Sequence, residues 1–404
     1  MFNPKSLHII DGGLLEPAGH YYTQDFSIAN ECRRRGIPVK IYCRNGAKLG
    51  NPEITTIDIF RFDIFVESSN QNSEFGVYEN YFLVNRAFYE DLCLISVENF
   101  SSEDLIYFPT ITQNQIEAIS DWIISIPLNQ RPRVAITLRV LNSQVYYNVD
   151  RGYSKAIDFL YRHALLKLIE RHPSTHLFTD TTALATSYRM ISGITVINLP
   201  IPQIEFNQEN ILIKSQYKNK LSILYIGNIS NYRGFRFIPS IIESVLSEFP
   251  DVEFVIQVKA DPSSDDARTM TAISDAFSKK VRFIFGNLSP SEYLRTMKDA
   301  DIVLLPYLPS YYCFGSSGVF TEAAALAKVL VITKGTTMET TSNEYNLGAV
   351  ISEEYTADAF SVSLKEAVRN FEVLDKKAKD SYISFAQANS PEGFVERMLG
   401  SIVN

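Results

Sequence analysis

Residues 301–333 carry the stretch that decides the fold: Asp301 Ile302 Val303 Leu304 Leu305 Pro306, then Phe314 Gly315 Ser316 Ser317 Gly318 Val319 Phe320 Thr321 Glu322, then Val329 Leu330 Val331 Ile332 Thr333. An apolar run gives way to a loop of small residues, a helix over Val319 to Ala327, and a second apolar run, so the order reads strand, loop, helix, strand. Glycines and serines let a backbone come close to a ligand, and the unbonded N–H groups of a helix start suit a phosphate. Glu322, one turn into that helix, is placed to accept two hydroxyls from a ribose. A plainer reading stands beside this one: the small residues allow a tight turn, and Glu322 favours the positive end of the helix dipole. On its own the stretch leaves both readings open.

Its neighbours decide between them. Leu221 Ser222 Ile223 Leu224 Tyr225 Ile226 Gly227 Asn228 Ile229 Ser230 Asn231 Tyr232 Arg233 Gly234 reads as a buried strand, a glycine turn and a loop that carries a cation into a helix starting near Phe235. Val281 Arg282 Phe283 Ile284 Phe285 Gly286 Asn287 Leu288 Ser289 Pro290 Ser291 Glu292 repeats the logic, with Ser289 as helix N-cap, proline at the first helical position and glutamate at the third. Three strands therefore end in loops that can face one crevice, where ligands bind in open parallel α/β sheets.

With 404 residues, 46% hydrophobic and 21% charged, the chain can bury two ordinary cores and is neither disordered nor fibrous in composition. A net charge of −8 argues against nucleic acid as a main partner, because backbone phosphates need a broad basic face. Cys32, Cys43, Cys93 and Cys313 have no paired spacing for zinc or redox work, and reduced thiols in a cytoplasmic protein are expected. Nothing resembles a signal peptide or a run of transmembrane length. Asp261 Pro262 Ser263 Ser264 Asp265 Asp266 reads as a solvated loop rather than a metal site. Aromatics such as Tyr146, Tyr147, Tyr311 and Tyr312 are able to stack on sugar rings, although most of the 22 Tyr and 26 Phe belong to cores.

Elsewhere strands are expected at Ser6 to Asp11, Val39 to Cys43, Asp104 to Phe108, Arg133 to Arg139, His176 to Thr179 and Val252 to Val258. Helices are expected over Tyr21 to Arg35, Thr112 to Ile126, Tyr153 to Arg171 and up to Ser192. The alternation predicts a parallel sheet with crossover helices. Pro200 and Pro202 suit a linker. A second alternating set runs from Leu221 to about Val350, and the tail reads as mostly helix over Ala359 to Phe371 and Lys376 to Val403.

In this order and spacing, the segments at Ile223 to Gly234, Val281 to Leu288 and Asp301 to Thr333 resemble the GT-B glycosyltransferases, in particular the large bacterial group 1 type family that uses nucleotide sugars. Ala300 Asp301 and Glu322 Ala323 Ala324 Ala325 match further features of that family, and the match is good over residues 220–350. The resemblance implies an α/β fold of two Rossmann-like domains facing each other across a cleft. The expected boundaries are 1–201, an acceptor-side domain completed by a helix at about 386–404, and 202–385, a nucleotide-sugar-binding domain. Where the family carries an Arg and a Lys before a glycine, this chain has Asn228 and Arg233. Where many members carry two glutamates eight positions apart, Glu322 matches the second and Phe314 stands at the first, which leaves retaining and inverting outcomes both open.

The implied activity is transfer of a sugar from a nucleoside-diphosphate sugar to a saccharide or lipid-linked acceptor, as in bacterial surface polysaccharide assembly. Neither metal nor cofactor is expected beyond the donor. The expected catalytic residues are His20, Arg233 and Glu322. Arg233, the N–H groups of Ser317 and Gly318 and the hydroxyls of Ser316 and Ser317 would meet charge growing on the leaving diphosphate. Asn228 also lies on the donor side, and Asn287 and Leu288 would hold the base. In the first half, Gly12 and Gly13 allow close approach to the donor. His20 reads either as a general base toward an acceptor hydroxyl or as a packing and capping residue. Asp25 is expected to be solvated or an orienting partner, and Arg139 and Asp180, at strand ends, are weaker acceptor-side candidates. His8 reads as a satisfied core histidine. A nucleotide-sugar epimerase of the same architecture, and a non-catalytic relative that binds nucleotide sugar or a partner protein, remain the alternatives. The expected location is cytoplasmic, with peripheral contact at the inner face of the membrane and the oligomeric state both open.

Overall fold

A computed structural model describes residues 2–17, 19–50, 52–67, 74–139, 151–202, 220–227, 230–258 and 280–402. The Asp261 to Asp266 run, Tyr146, Tyr147 and Asn228 lie outside them, and of His20 and Asn231 only the backbone is described. The chain divides into two units, residues 1–202 with 391–404, and residues 203–390.

In the first unit, β1 (Leu7–Ile10), β2 (Val39–Arg44), β3 (Thr55–Phe60), β4 (Leu105–Ile111), β5 (Arg133–Leu138), β6 (Thr175–Thr179) and β7 (Ile197–Asn198) form a parallel sheet in the order 3-2-1-4-5-6-7. The helices are α1 (Gly19–Arg34), α2 (Glu74–Leu92), α3 (Gln113–Ser125), α4 (Arg151–Arg171) and α5 (Thr182–Ser192). A capping box at Thr112 starts α3, where the Thr112 hydroxyl accepts from Asn114 N–H and the Gln115 side chain accepts from Thr112 N–H. β3 and α2 were not anticipated. His8 is buried in β1 between Ser6 and Tyr42, as expected, and burial pulls its pKa down to about 4.

The second unit places β8 (Ser222–Tyr225), β9 (Glu253–Val258), β10 (Val281–Phe285), β11 (Ile302–Leu305), β12 (Val329–Thr333) and β13 (Ala349–Ser352) in a parallel sheet of order 10-9-8-11-12-13. Its helices are α6 (Ile238–Glu248), α7 (Pro290–Asp299), α8 (Pro309–Tyr312), α9 (Gly318–Ala325), α10 (Thr337–Glu344), α11 (Ala357–Arg369) and α12 (Phe371–Ala388). Strands buried on both faces read as continuous apolar runs, and alternate residues feed two cores. Ile223, Ile256, Leu304 and Val331 pack with Ile242 of α6 and Phe360 of α11, while Leu224, Val303, Leu305 and Ile332 pack with Ala323 of α9 and Phe385 of α12. Ser289 caps α7 with the full capping box read from the sequence.

α13 (Pro391–Ser401) belongs to the first unit. Its Phe394, Val395, Met398 and Leu399 enter the core formed by Leu7 and Ile9 of β1, Ile41 of β2 and Phe26 of α1. Phe2 N–H donates to Leu399 O at 3.0 Å, so the α13 helix is fastened to the N-terminal segment.

Each sheet is therefore two Rossmann-like halves wound from a central strand. The order reverses between β1 and β4 in one and between β8 and β11 in the other. Loops that leave adjacent strands in opposite directions open a crevice at such a switch point.

Candidate functional site

In the second unit the switch point lies between the loop after β8 and the loop after β11, and these two loops are stitched together. Gly234 has φ +67°, and a Cβ there would stand 2.1 Å from Pro306 O. Leu308 N–H donates to Tyr232 O at 2.8 Å, and the Tyr232 and Tyr311 rings stack with centroids 4.3 Å apart. This closeness needs a glycine that no side chain replaces.

Arg233 is the last residue of a short 3-10 turn (Asn231–Arg233). Its Nε donates to Tyr312 Oη at 3.2 Å, and its guanidinium lies 5.8 Å from the Tyr307 ring centroid. A Cβ on Gly227 would stand 2.9 Å from Arg233 Nη1 and 3.8 Å from Val319 Cγ2, so the guanidinium shares its corner with the first turn of α9. Among the described residues Arg233 has no carboxylate partner.

Ser317 is the N-cap of α9, and its hydroxyl oxygen accepts from Phe320 N–H at 3.2 Å. Thr321 N–H goes to Ser317 O. The N–H groups of Gly318 and Val319 are left without a partner among the described residues, as the first turn of a helix requires unless something else binds there. The Gly315 carbonyl accepts from Thr337 Oγ1 at 2.6 Å, which anchors the small-residue loop to α10. Ser316 is exposed, and Ser317 is buried with its hydroxyl oxygen accepting the cap bond.

Glu322 sits one turn along α9, and its carboxylate accepts a hydrogen bond from Tyr293 Oη of α7. Burial raises its pKa to about 7 against the opposing pull of that bond. Asn287 is exposed and Leu288 half-buried, both just after Gly286 at the end of β10. Asp301, part of the family-like Ala-Asp pair, lies at the opposite end of the sheet. Its carboxylate accepts from Ser222 N–H at 2.9 Å and ties β8 to β11.

In the first unit, the loop after β1 is organised from within. Gly13 N–H donates to Asp11 Oδ1 at 2.7 Å, and a Cβ on Gly13 would stand 2.9 Å from the Tyr21 ring. Gly12 is flanked by Phe60, Phe62 and Ile64. Asp25 is 0% exposed, which corrects the expectation of a solvated residue. Its carboxyl is close enough to that of Asp11, itself fully buried, for their charges to repel, and neither Asp25 oxygen has a hydrogen-bond partner among the described residues. Burial raises Asp11 to about 6 and Asp25 well above its ordinary value. The Arg139 charge works against both shifts, while Arg139 Nη1 donates to Thr110 Oγ1 at 3.1 Å. Asp180 stands apart from this group, after β6, where its charge reaches Tyr188. Among the described residues no group of three or more His, Cys, Asp or Glu is placed to hold a metal ion, and no helix is long and apolar enough to cross a membrane.

One buried side chain escaped the sequence reading. Gln257 of β9 accepts from Gly227 N–H at 3.1 Å and donates to Gly286 O at 3.0 Å. Its signal was a lone amide in the apolar run Phe254 Val255 Ile256 Gln257 Val258.

No family model and no curated protein sequence matches the chain. Solved structures do. A sucrose-phosphate synthase from Thermosynechococcus elongatus is 13% identical with a TM-score of 0.65, and the match covers 98% of each chain. An E. coli trehalose-6-phosphate structure bound with UDP-2-fluoro glucose is 12% identical with a TM-score of 0.67, again over 98% of each chain. HepE from Anabaena, in complex with UDP and glucose, is 14% identical with a TM-score of 0.60 over 99% of each chain. The fold is GT-B. At these identities the likeness is one of architecture, and it covers the GT-B chain from the first strand to α13.

Proposed function

We propose that the chain is a glycosyltransferase that moves a sugar from a nucleoside-diphosphate sugar to a saccharide or lipid-linked acceptor without a metal ion, in surface polysaccharide assembly. The observation that carries this reading is Arg233, a guanidinium with no carboxylate partner among the described residues, beside the open first turn of α9. A cation and a helix start both favour an anion, and together they make a site for a diphosphate. When the bond from the anomeric carbon to the diphosphate breaks, negative charge grows on the leaving phosphate oxygens. Donors already fixed there stabilise it without reorganising. Arg233, the N–H groups of Gly318 and Val319, and the hydroxyls of Ser316 and Ser317 fill that role. Glu322 accepts the ribose hydroxyls, and Asn287 and Leu288 border the base. Unit 1 takes the acceptor, with His20 as the residue offered for its proton.

UDP is named in two of the three structures described above, so UDP-sugars are the first donors to test, followed by GDP- and TDP-sugars, with CMP-sugars, which carry one phosphate, as the contrast. Thermal unfolding of the protein with each, with and without EDTA, is the direct experiment. A ligand at about a hundred times its dissociation constant adds roughly 2.7 kcal/mol. Stabilisation by one nucleotide family, unaffected by EDTA, supports the reading; no stabilisation by any nucleotide sugar overturns it. Turnover of the donor alone would favour an epimerase, and binding without turnover a non-catalytic relative in which Phe314 replaces a catalytic carboxylate.

A further inference from the structure

We propose that Gln257 is a positioning residue that makes the loops after β8 and β10 a single receptor for the nucleotide. The inference rests on the reading that the nucleotide binds at these loops. β9 lies between β8 and β10, and Gln257 is the next-to-last residue of β9, 1% exposed. An N–H only donates and a carbonyl only accepts, so the partners Gly227 N–H and Gly286 O fix which way the amide faces. Both partners are glycines with positive φ, +125° and +82°, where each chain turns out of its strand. The amide therefore grips a glycine at the start of each loop, Gly227 two residues past β8 and Gly286 one past β10. An apolar side chain is the ordinary occupant of an interior position in a parallel strand, and an amide buried there is costly unless fully bonded. On the far side of Gly227 stands Arg233, and Gly286 leads directly into Asn287 and Leu288. Gln257 thus links the residues assigned to the diphosphate with those assigned to the base, and sets the spacing between them.

The test compares the wild-type protein with Gln257→Met, Gln257→Glu and the control Ile256→Val. Ile256 belongs to the core on the opposite face of β9 and makes no side-chain hydrogen bond to either loop. Three quantities are measured: calorimetric affinity for UDP or whichever nucleoside diphosphate stabilises the wild type, the thermal midpoint, and amide hydrogen exchange at residues 224–234 and 284–289. Gln257→Met is expected to weaken binding roughly tenfold, as loss of two bonds would, and to speed exchange in both segments together. Gln257→Glu, compared above and below its burial-raised pKa, keeps the acceptor for Gly227 N–H in both forms; protonated it still donates to the Gly286 carbonyl, and ionised it sets a carboxylate against it, so faster exchange relative to wild type is expected at 284–289 in the ionised form with 224–234 less affected. Ile256→Val should lower the midpoint and leave affinity unchanged. Wild-type affinity in both Gln257 variants, or exchange in the two segments that only follows global unfolding, overturns the proposal. Should the wild type bind no nucleoside diphosphate, the functional reading fails, and the exchange pattern still decides whether Gln257 couples the loops. Should Gln257→Met not fold, Gln257→Glu decides by the same exchange pattern.

Discussion

Glu322 is the residue whose chemistry gives the sharpest expectations. The residue is half-buried, with Tyr293 as hydrogen-bond donor to its carboxyl and no cation facing it among the described residues, so in the unliganded protein it gains a proton as pH falls through about 7. Ribose hydroxyls donate to the ionised form. Affinity for a nucleoside diphosphate should therefore rise between pH 6 and 8 and then level, and Glu322→Gln should remove the part of that dependence due to this carboxyl; an identical profile in calorimetry would take Glu322 out of the site. Glu322→Ala should weaken binding by roughly 1.5 to 3 kcal/mol, as loss of a charged hydrogen-bond partner would. Arg233→Ala is a different case. Because the charge it meets grows in the transition state, turnover should fall further than donor affinity, and a wild-type rate would defeat the leaving-group role.

At the scale of elements, the close pass of the two loops at Gly234 invites a stability test. Gly234→Ala forces a Cβ against the Pro306 carbonyl and a strained φ, and should cost about 2–4 kcal/mol in urea unfolding. The elements around this pass were largely legible beforehand. β8, β11, β12 and α9 announce themselves because strands buried on both faces are apolar throughout, and the Ser289 box announces α7. β3 and α2 were not legible: Thr55 Thr56 Ile57 Asp58 lies at a sheet edge with its first residues exposed, and its pattern of polar and apolar residues has little contrast. The site divides in the same way. Local signals pointed to Arg233, Ser317 and Glu322, whereas the Gln257 bridge and the meeting of Asp11 with Asp25 depend on which strands and helices become neighbours, which no local pattern encodes.

The whole molecule carries the cost of the Asp11 and Asp25 pair. The unfolded chain loses these protons near pH 4, but the folded one keeps them to about 6 for Asp11 and well above the ordinary carboxyl range for Asp25. Between those limits the folded state binds more protons, so this pair makes stability fall as pH rises. Arg139, Asp63 and Tyr21 share the cluster and are unchanged by Asp25→Asn, which supplies a neutral donor to Asp11. That variant should melt higher than wild type at pH 8 and flatten the slope between pH 5 and 8; equal slopes would show the pair titrates normally. α13 has a consequence of another kind, in time. The core of the first unit needs Phe394, Val395, Met398 and Leu399, yet residues 203–390 come between them and the rest of that unit. During synthesis at roughly 5–20 residues per second, the face of β1 and α1 waits on the order of 10–40 s for its cover. Of the two units, the one whose strands emerge earlier is thus finished after the other, and chaperones have their longer opportunity at its unfilled groove.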